Sequence, residues 1–249
     1  VVKSKRGGIA VVLMCITVLV LTGCFPVIGS PTTSTNRFER DKYGVLHIGP
    51  EPTARIYDNG VAVWDLTVPP SAAAFGIEVD PAHSQSVGAY SAESAEGHPV
   101  RLILPEGRSV QVMASAVIFD LTDNTEAITS RKSGEVTVPE GRLFTLQVNV
   151  LSGEGPKKGR EAYRAVLEQL GLPMDSLHEL DAKITNAANA DPIEDPARAS
   201  VGESAPAAGG LNFGVSTSFP QTTKEMPFAL RLTGLWDPAP IPSIDTAED

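Results

Sequence analysis

Few residues in this 249-residue chain combine types and spacings that do chemistry. The four histidines, His47, His83, His98 and His178, are spread along it. His83 and His98 share a polar stretch with Asp80 and Glu96, so folding can gather imidazoles and a carboxylate into a metal or acid–base site. The competing reading is loop histidines beside carboxylates with no such role. Asp120, Asp123 and Asn124 offer oxygen atoms to calcium, yet they lack the spacing and turn glycine of an EF-hand loop, and Asp and Asn are ordinary turn formers. Glu106 and Glu140 occupy matching turns, whereas a glycosidase pair needs convergence across a cleft. No HExxH, phosphate loop, dinucleotide fingerprint or G-x-S-x-G elbow occurs. No motif therefore calls for a metal or an organic cofactor, and none assigns a catalytic residue.

Arg55, Tyr57 and Trp64 are candidates for ligand contact. Asn59-Gly60, between two alternating segments, is the favoured pair for a type I′ hairpin over residues 53–68. In that register Ile56 faces Val63, Tyr57 faces Ala62 and Arg55 lies opposite Trp64. An exposed strip of these residues can stack on sugar rings. Alternatively, Trp64 belongs to the core under the Arg55 stem, with a cation–π contact between them.

Cys15 and Cys24 are the two cysteines. Lys3, Lys5 and Arg6 precede an apolar run over residues 9–21, the layout of a secretory signal peptide. As a helix that run rises only about 20 Å, short of a hydrocarbon core roughly 30 Å thick. Leu21, Thr22, Gly23 and Cys24 follow: a leucine three places before the cysteine and a small residue directly ahead of it. These residues resemble the lipobox of bacterial lipoprotein precursors, and the resemblance covers the leader alone. It implies cleavage between Gly23 and Cys24, lipid on the Cys24 sulfur, acylation of the new amino terminus, and residence on the extracytoplasmic face of the cell membrane. Two chains of a diacylglyceryl group anchor stably, since each buried methylene contributes about 0.8 kcal/mol. Arg6 has no neighbouring arginine, which favours the general secretion route. With Cys24 lipidated, no thiol remains for a disulfide or a nucleophile.

Without residues 1–23 the chain carries 17 basic and 30 acidic residues, a formal charge of −13. Such a surface repels nucleic-acid phosphates and anionic headgroups, so nucleic acid is not an expected partner. Residues 24–36 read as a lipidated tether, rich in Ser, Thr and Pro, that reaches at most about 40 Å.

Residues 37–236 read as one β-rich domain. Strands are expected over 75–79, 212–219 and 227–235, with a surface loop over 80–99. Leu104-Pro105-Glu106-Gly107-Arg108 is echoed by Val138-Pro139-Glu140-Gly141-Arg142, which predicts two hairpins with type I turns: 100–104 with 110–121, and 135–138 with 143–151. Within 156–190 the period becomes helical. Tyr163, Val166, Leu167 and Leu170 share a face, Gly171 and Pro173 stop the first helix, and Asp175 or Ser176 caps a second with Leu177, Leu180 and Ile184 in its stripe. Lys157, Lys158, Arg160 and Arg164 at the helix start make either a docking patch or a solvated end balanced by Glu161 and Glu168. Residues 191–210 read as a mobile loop and 237–249 as a disordered tail.

The expectation is a mainly β, antiparallel, sandwich-like domain with an inserted helical hairpin, held to the membrane at Cys24. It would act as a binding or interaction module for an envelope protein or a cell-wall glycan. The alternatives are an envelope hydrolase or metal-dependent enzyme whose site forms only in the fold, and a structural subunit of a membrane complex.

Overall fold

Turn chemistry sets the first elements of the computed structural model, which describes residues 39–80, 82–129, 136–189, 198–220 and 227–242. The expected leader and the whole of the expected tether, with Leu21, Thr22, Gly23 and Cys24, lie outside the described residues. Strands β1 (Glu39–Arg40) and β2 (Val45–Ile48) pair antiparallel. In the turn between them Asp41 Oδ1 accepts from the amides of Tyr43 (2.9 Å) and Val45 (3.0 Å). Strands β3 (Arg55–Asp58) and β4 (Val61–Asp65) form the expected hairpin: Arg55 faces Trp64, Ile56 faces Val63 and Tyr57 faces Ala62. Both turn residues take positive φ, 49° at Asn59 and 83° at Gly60, as a type I′ turn requires.

Residues 75–79 are not a strand. Phe75 ends a one-turn helix, α1 (Ala72–Phe75), whose entry is capped by Ser71 Oγ accepting from the Ala74 amide (3.1 Å) and whose exit is Gly76 at φ 65°. Nor is 80–99 one long loop: it contains β5 (Gln85–Ala92) and the start of β6 (His98–Ile103). The inward positions of β5 include Ser86 and Gly88. A Cβ at Gly88 would lie 2.7 Å from the Gly76 carbonyl oxygen and 2.9 Å from that of Phe75. The absent side chain is what lets α1 sit on the sheet.

Strand β6 turns into β7 (Ser109–Asn124) as the first expected hairpin, but not through a type I turn, because Glu106 has φ 68°. The second expected hairpin does not form. Strand β8 (Ile128–Thr129) pairs with β9 (Val136–Val138), whereas β10 (Gly141–Val150) runs along β7 from Gly141–Asn124 to Val150–Ala114. The longer partner wins.

Helices α2 (Gly155–Leu170) and α3 (Asp175–Ala188) form the hairpin expected within 156–190. Neither Asp175 nor Ser176 caps α3 with its side chain; the Ser176 hydroxyl instead hydrogen-bonds the Tyr163 hydroxyl at 2.8 Å. Tyr163, Leu167, Leu170 and Leu180 are buried, so the stripes face inward. Arg160 Nη2 meets Asp181 at 2.8 Å and Arg164 pairs with Glu168, which gives two of the four cations at the helix start internal partners. Arg108 Nη1 donates to the Leu170 carbonyl (3.3 Å), a cation placed at the negative end of α2.

Three strands close the sheet: β11 (Arg198–Pro206), β12 (Leu211–Pro220) and β13 (Ala229–Trp236). Of the expected mobile loop, residues 198–206 are therefore strand, with Ala199 and Val201 turned into the core and a full register against β12, and residues 191–197 lie outside the described residues. Of the expected disordered tail, residues 237–242 are placed: Ala239 and Arg142 exchange backbone hydrogen bonds of 2.7 and 2.9 Å. Residues 243–249 lie outside the described residues.

The chain is mainly β. Eleven of the described strands join one sheet, along the order β1-β2-β5-β7-β10-β13-β12-β11, with β6 also on β7, β4 on β6 and β3 on β4. It is mixed rather than purely antiparallel, because β4 and β6 run parallel. A bulge in β7 shapes it. Asn149 and Val150 of β10 oppose Ala116 and Ala114, so Ser115 is the extra residue, and the buried positions switch from Val110, Val112 and Ala114 to Val117, Phe119 and Leu121. The two halves of β7 thus present opposite parities to one core. There Phe75 stacks on Phe119 (4.2 Å between centroids) and meets Trp236 (5.2 Å), while Trp64 of β4 packs on Phe119 and Tyr90 at 4.8 Å each.

Gly159 of α2 fixes how closely the helical hairpin sits: a Cβ there would lie 2.3 Å from the Phe228 ring, which itself stacks on Phe219. Gly159→Ala is expected to lose about 1–3 kcal/mol by overpacking, despite alanine's better helix propensity, read as a lower denaturation midpoint.

Candidate binding site

The β3–β4 hairpin places Arg55, Tyr57 and Trp64 on its inward face, because residues two apart share a side and directly opposed residues match. Trp64 is 1% exposed and Arg55 6%. Neither offers a face to a sugar arriving from solvent, so the three do not form an exposed strip. They build a cage: the Arg55 guanidinium lies 4.8 Å from the Tyr90 ring centroid, 5.2 Å from Tyr57 and 5.6 Å from Trp64. Its ion-pair partners are Glu51 (2.8 Å) and Asp41 (3.7 Å).

Asp41 joins this cage to the β1–β2 turn. While Oδ1 holds the turn amides, Oδ2 accepts the Tyr57 hydroxyl and faces Arg55. Burial alone would raise the Asp41 pKa, but the Tyr57 hydroxyl, the Val45 and Tyr43 amides and Arg55 together hold it below the usual aspartate value. The Tyr57 hydroxyl is pushed the other way, by burial and by its bond to Asp41.

Next to the cage, between the turn around Tyr43 and the segment joining β5 to β6, lies a cleft of about 370 Å³ lined by Tyr43, Gly44, Val45, Ala92, Glu93, Ser94, Gly97 and His98. That volume is within the ordinary range for small-molecule sites. Val45, Ala92 and His98 also line a recess of about 10 Å³ that reaches Arg55, Tyr57, Trp64 and Tyr90 and is floored by residues 114–117 at the β7 bulge. The recess has room for about one water. Among the described residues, four buried side-chain polar atoms lack a hydrogen-bond partner, and two of them, Arg55 Nε and His98 Nε2, line this recess. Buried polar groups are ordinarily satisfied, so this pairing marks the place where something polar belongs.

Burial lowers the His98 pKa, with Arg55 acting in the same direction and Asp41 against. The imidazole is expected to be neutral at pH 7. A histidine titration by NMR should find its midpoint below 6.5, and a midpoint above that value would contradict its burial at the recess. Since the unfolded imidazole takes its proton first, stability should decline as pH falls from 6.5 to the lower folded value.

The other candidates stay apart. His83 Nδ1 pairs with Asp80 (2.7 Å) on the surface, away from His98, and His47 is buried with Nδ1 donating to the Gly49 carbonyl (3.2 Å). Asp120 accepts from Gln85, Asp123 pairs with Arg142 (2.6 Å) and Asn124 donates to the Pro139 carbonyl, so they form no calcium cluster. No group of three or more His, Cys, Asp or Glu able to hold a metal occurs among the described residues. No helix among them is long and apolar enough to cross a membrane.

Tyr43, Glu93 and Ser94 were not singled out from sequence. The one local signal is Asp41 three residues before Gly44, a turn pattern, and nothing in it points to the 93–97 segment that completes the cleft. Comparison with protein-family models, with curated proteins and with solved structures returns no match.

Proposed function

We propose that this chain is a lipid-anchored extracytoplasmic binding module, held at the cell membrane by Cys24, on a sandwich-like β scaffold whose recognition site is the cleft between the Tyr43 turn and the 93–97 segment. The cleft carries the reading: two unpaired buried nitrogens, Arg55 Nε and His98 Nε2, line the recess at its back. Its partner is an envelope protein or a cell-wall glycan. Glu39 starts the described body 15 positions after Cys24, a span of at most about 50 Å when extended, so the cleft works close to the membrane that holds it.

Two measurements test this. Cys24→Ser is expected to abolish metabolic lipid labelling and to release the protein from the membrane fraction; unchanged labelling and sedimentation would remove the anchor. A photo-crosslinker at Ser94 in the native envelope should capture a partner, and an empty crosslink would remove the binding site.

A further inference from the structure

Resting on that reading of the cleft, we infer that its ligand is an uncharged saccharide unit, seated against the Tyr43 ring with its hydroxyls meeting Glu93, Ser94 and the His98 side of the wall. Tyr43 is 38% exposed, one of the few aromatic rings in the described body open to solvent. It packs against Tyr57, with ring centroids 4.0 Å apart and ring planes tilted by 37°. A partly exposed ring braced by a second ring, with only the exposed Lys42 side chain over it, can serve as a stacking platform for the apolar face of a sugar. Glu93 and Ser94 on the same cleft are acceptor and donor groups of the kind that read hydroxyls.

Charge decides the class. Both guanidinium groups near the site are already matched, Arg55 by Glu51 and Asp41 and Arg40 by Glu93 at 2.6 Å, and the Lys42 ammonium sits over the Tyr43 ring. An anionic ligand would have to take one of these cations from its present contact and would meet the Glu93 carboxylate. A cationic ligand would have to displace the Lys42 ammonium from the Tyr43 ring, since the Tyr57, Trp64 and Tyr90 rings are held by Arg55. A purely apolar ligand would strip water from the Ser94 hydroxyl and from the Arg40–Glu93 pair. A neutral polyol breaks neither ion pair, brings no charge to the Lys42 ammonium and offers hydroxyls to Glu93 and Ser94. One water in the recess can carry its hydrogen-bond network back to Arg55 Nε.

Lys42 is the built-in competitor. Its ammonium lies 4.9 Å from the Tyr43 ring centroid, on an exposed side chain that a sugar ring would displace.

The experiment is saturation-transfer NMR and titration calorimetry on the full chain in a detergent without a sugar headgroup. Chitotriose and maltotriose serve as neutral probes and trigalacturonate as an anionic one. At least one neutral trisaccharide should bind. Tyr43→Ala should weaken it about 10-fold and Tyr43→Phe should retain it, while Lys42→Ala should tighten it about 2- to 5-fold. A cooperative denaturation transition in Tyr43→Ala close to that of the parent chain certifies the fold. Failure of both neutral probes to bind, stronger binding of trigalacturonate, or equal binding by Tyr43→Ala overturns the inference. The Ser94 crosslink separates the levels: captured glycan supports both readings, captured protein alone overturns the saccharide and leaves the binding module, and no capture overturns both.

Discussion

Trp64→Ala is expected to destabilise the protein by about 3–5 kcal/mol, read as a large fall in the denaturant midpoint with little change in slope. Trp64 is 1% exposed and sits where several elements meet: opposite Arg55 in the β3–β4 hairpin, beside Leu102 in the parallel β4–β6 pair, and against Phe119 and Tyr90 across the core. The indole is the contact that brings β4 onto β7 and β5, with neither of which it is hydrogen-bonded. Alanine would leave a void there, and Arg55 would lose one wall of its cage. Trp64→Phe keeps an aromatic wall and should cost markedly less. A loss below about 1 kcal/mol for Trp64→Ala would mean that the β3–β4 hairpin does not pack as described.

Asp41 is the second large case. Asp41→Ala is expected to cost about 3 kcal/mol or more, because it leaves a guanidinium whose side chain is 1% exposed with Glu51 alone, and strips the Tyr43 and Val45 amides and the Tyr57 hydroxyl of their acceptor. Arg55→Met should cost much less. It removes the buried charge and fills the space, and Asp41 keeps three other donors. The reverse order would overturn the clamp described for Asp41. The pH dependence follows from the depressed Asp41 pKa. The unfolded carboxyl takes its proton first, so the stabilisation is complete above the ordinary aspartate value of 3.8 and is lost as pH falls below it through the folded value. In Asp41→Ala this part of the acid sensitivity should vanish.

What was legible in the sequence followed local chemistry. Asn59-Gly60 permits one tight turn and so one register, and the Tyr163, Val166, Leu167 and Leu170 stripe with Gly171 behind it permits one helix. Strand β5 was hidden because its inward positions hold Ser86 and Gly88, made small by α1 lying on them, so the apolar alternation that announces a strand is missing. Helix α1 announced itself only through Ser71 and Gly76, two caps around a single turn. Strand β11 looked like a loop because just Ala199 and Val201 turn to the core from an edge position. At the site, Arg55 and Trp64 were legible as a cross-strand pair, but whether that pair faced solvent depended on Tyr90 and Phe119, far along the chain. Tyr43 and Glu93 share a cleft only because β2 pairs with β5, with Val45 opposite Ala92.

The long strand β7 has a bearing on time as well as shape. It pairs with β5 and β6 on one side and with β10 on the other, and β10 in turn takes β13 as its second neighbour. Phe75, near the beginning of the described body, acquires its Trp236 neighbour only from β13, the last strand described. Loop closure over such separations is entropically costly before any contact compensates it, which places folding in the slow, roughly millisecond-to-second regime of proteins dominated by non-local pairing. A chain emerging from its amino terminus would therefore hold an open core until β13 arrives, a state exposed to proteases until the last strand docks.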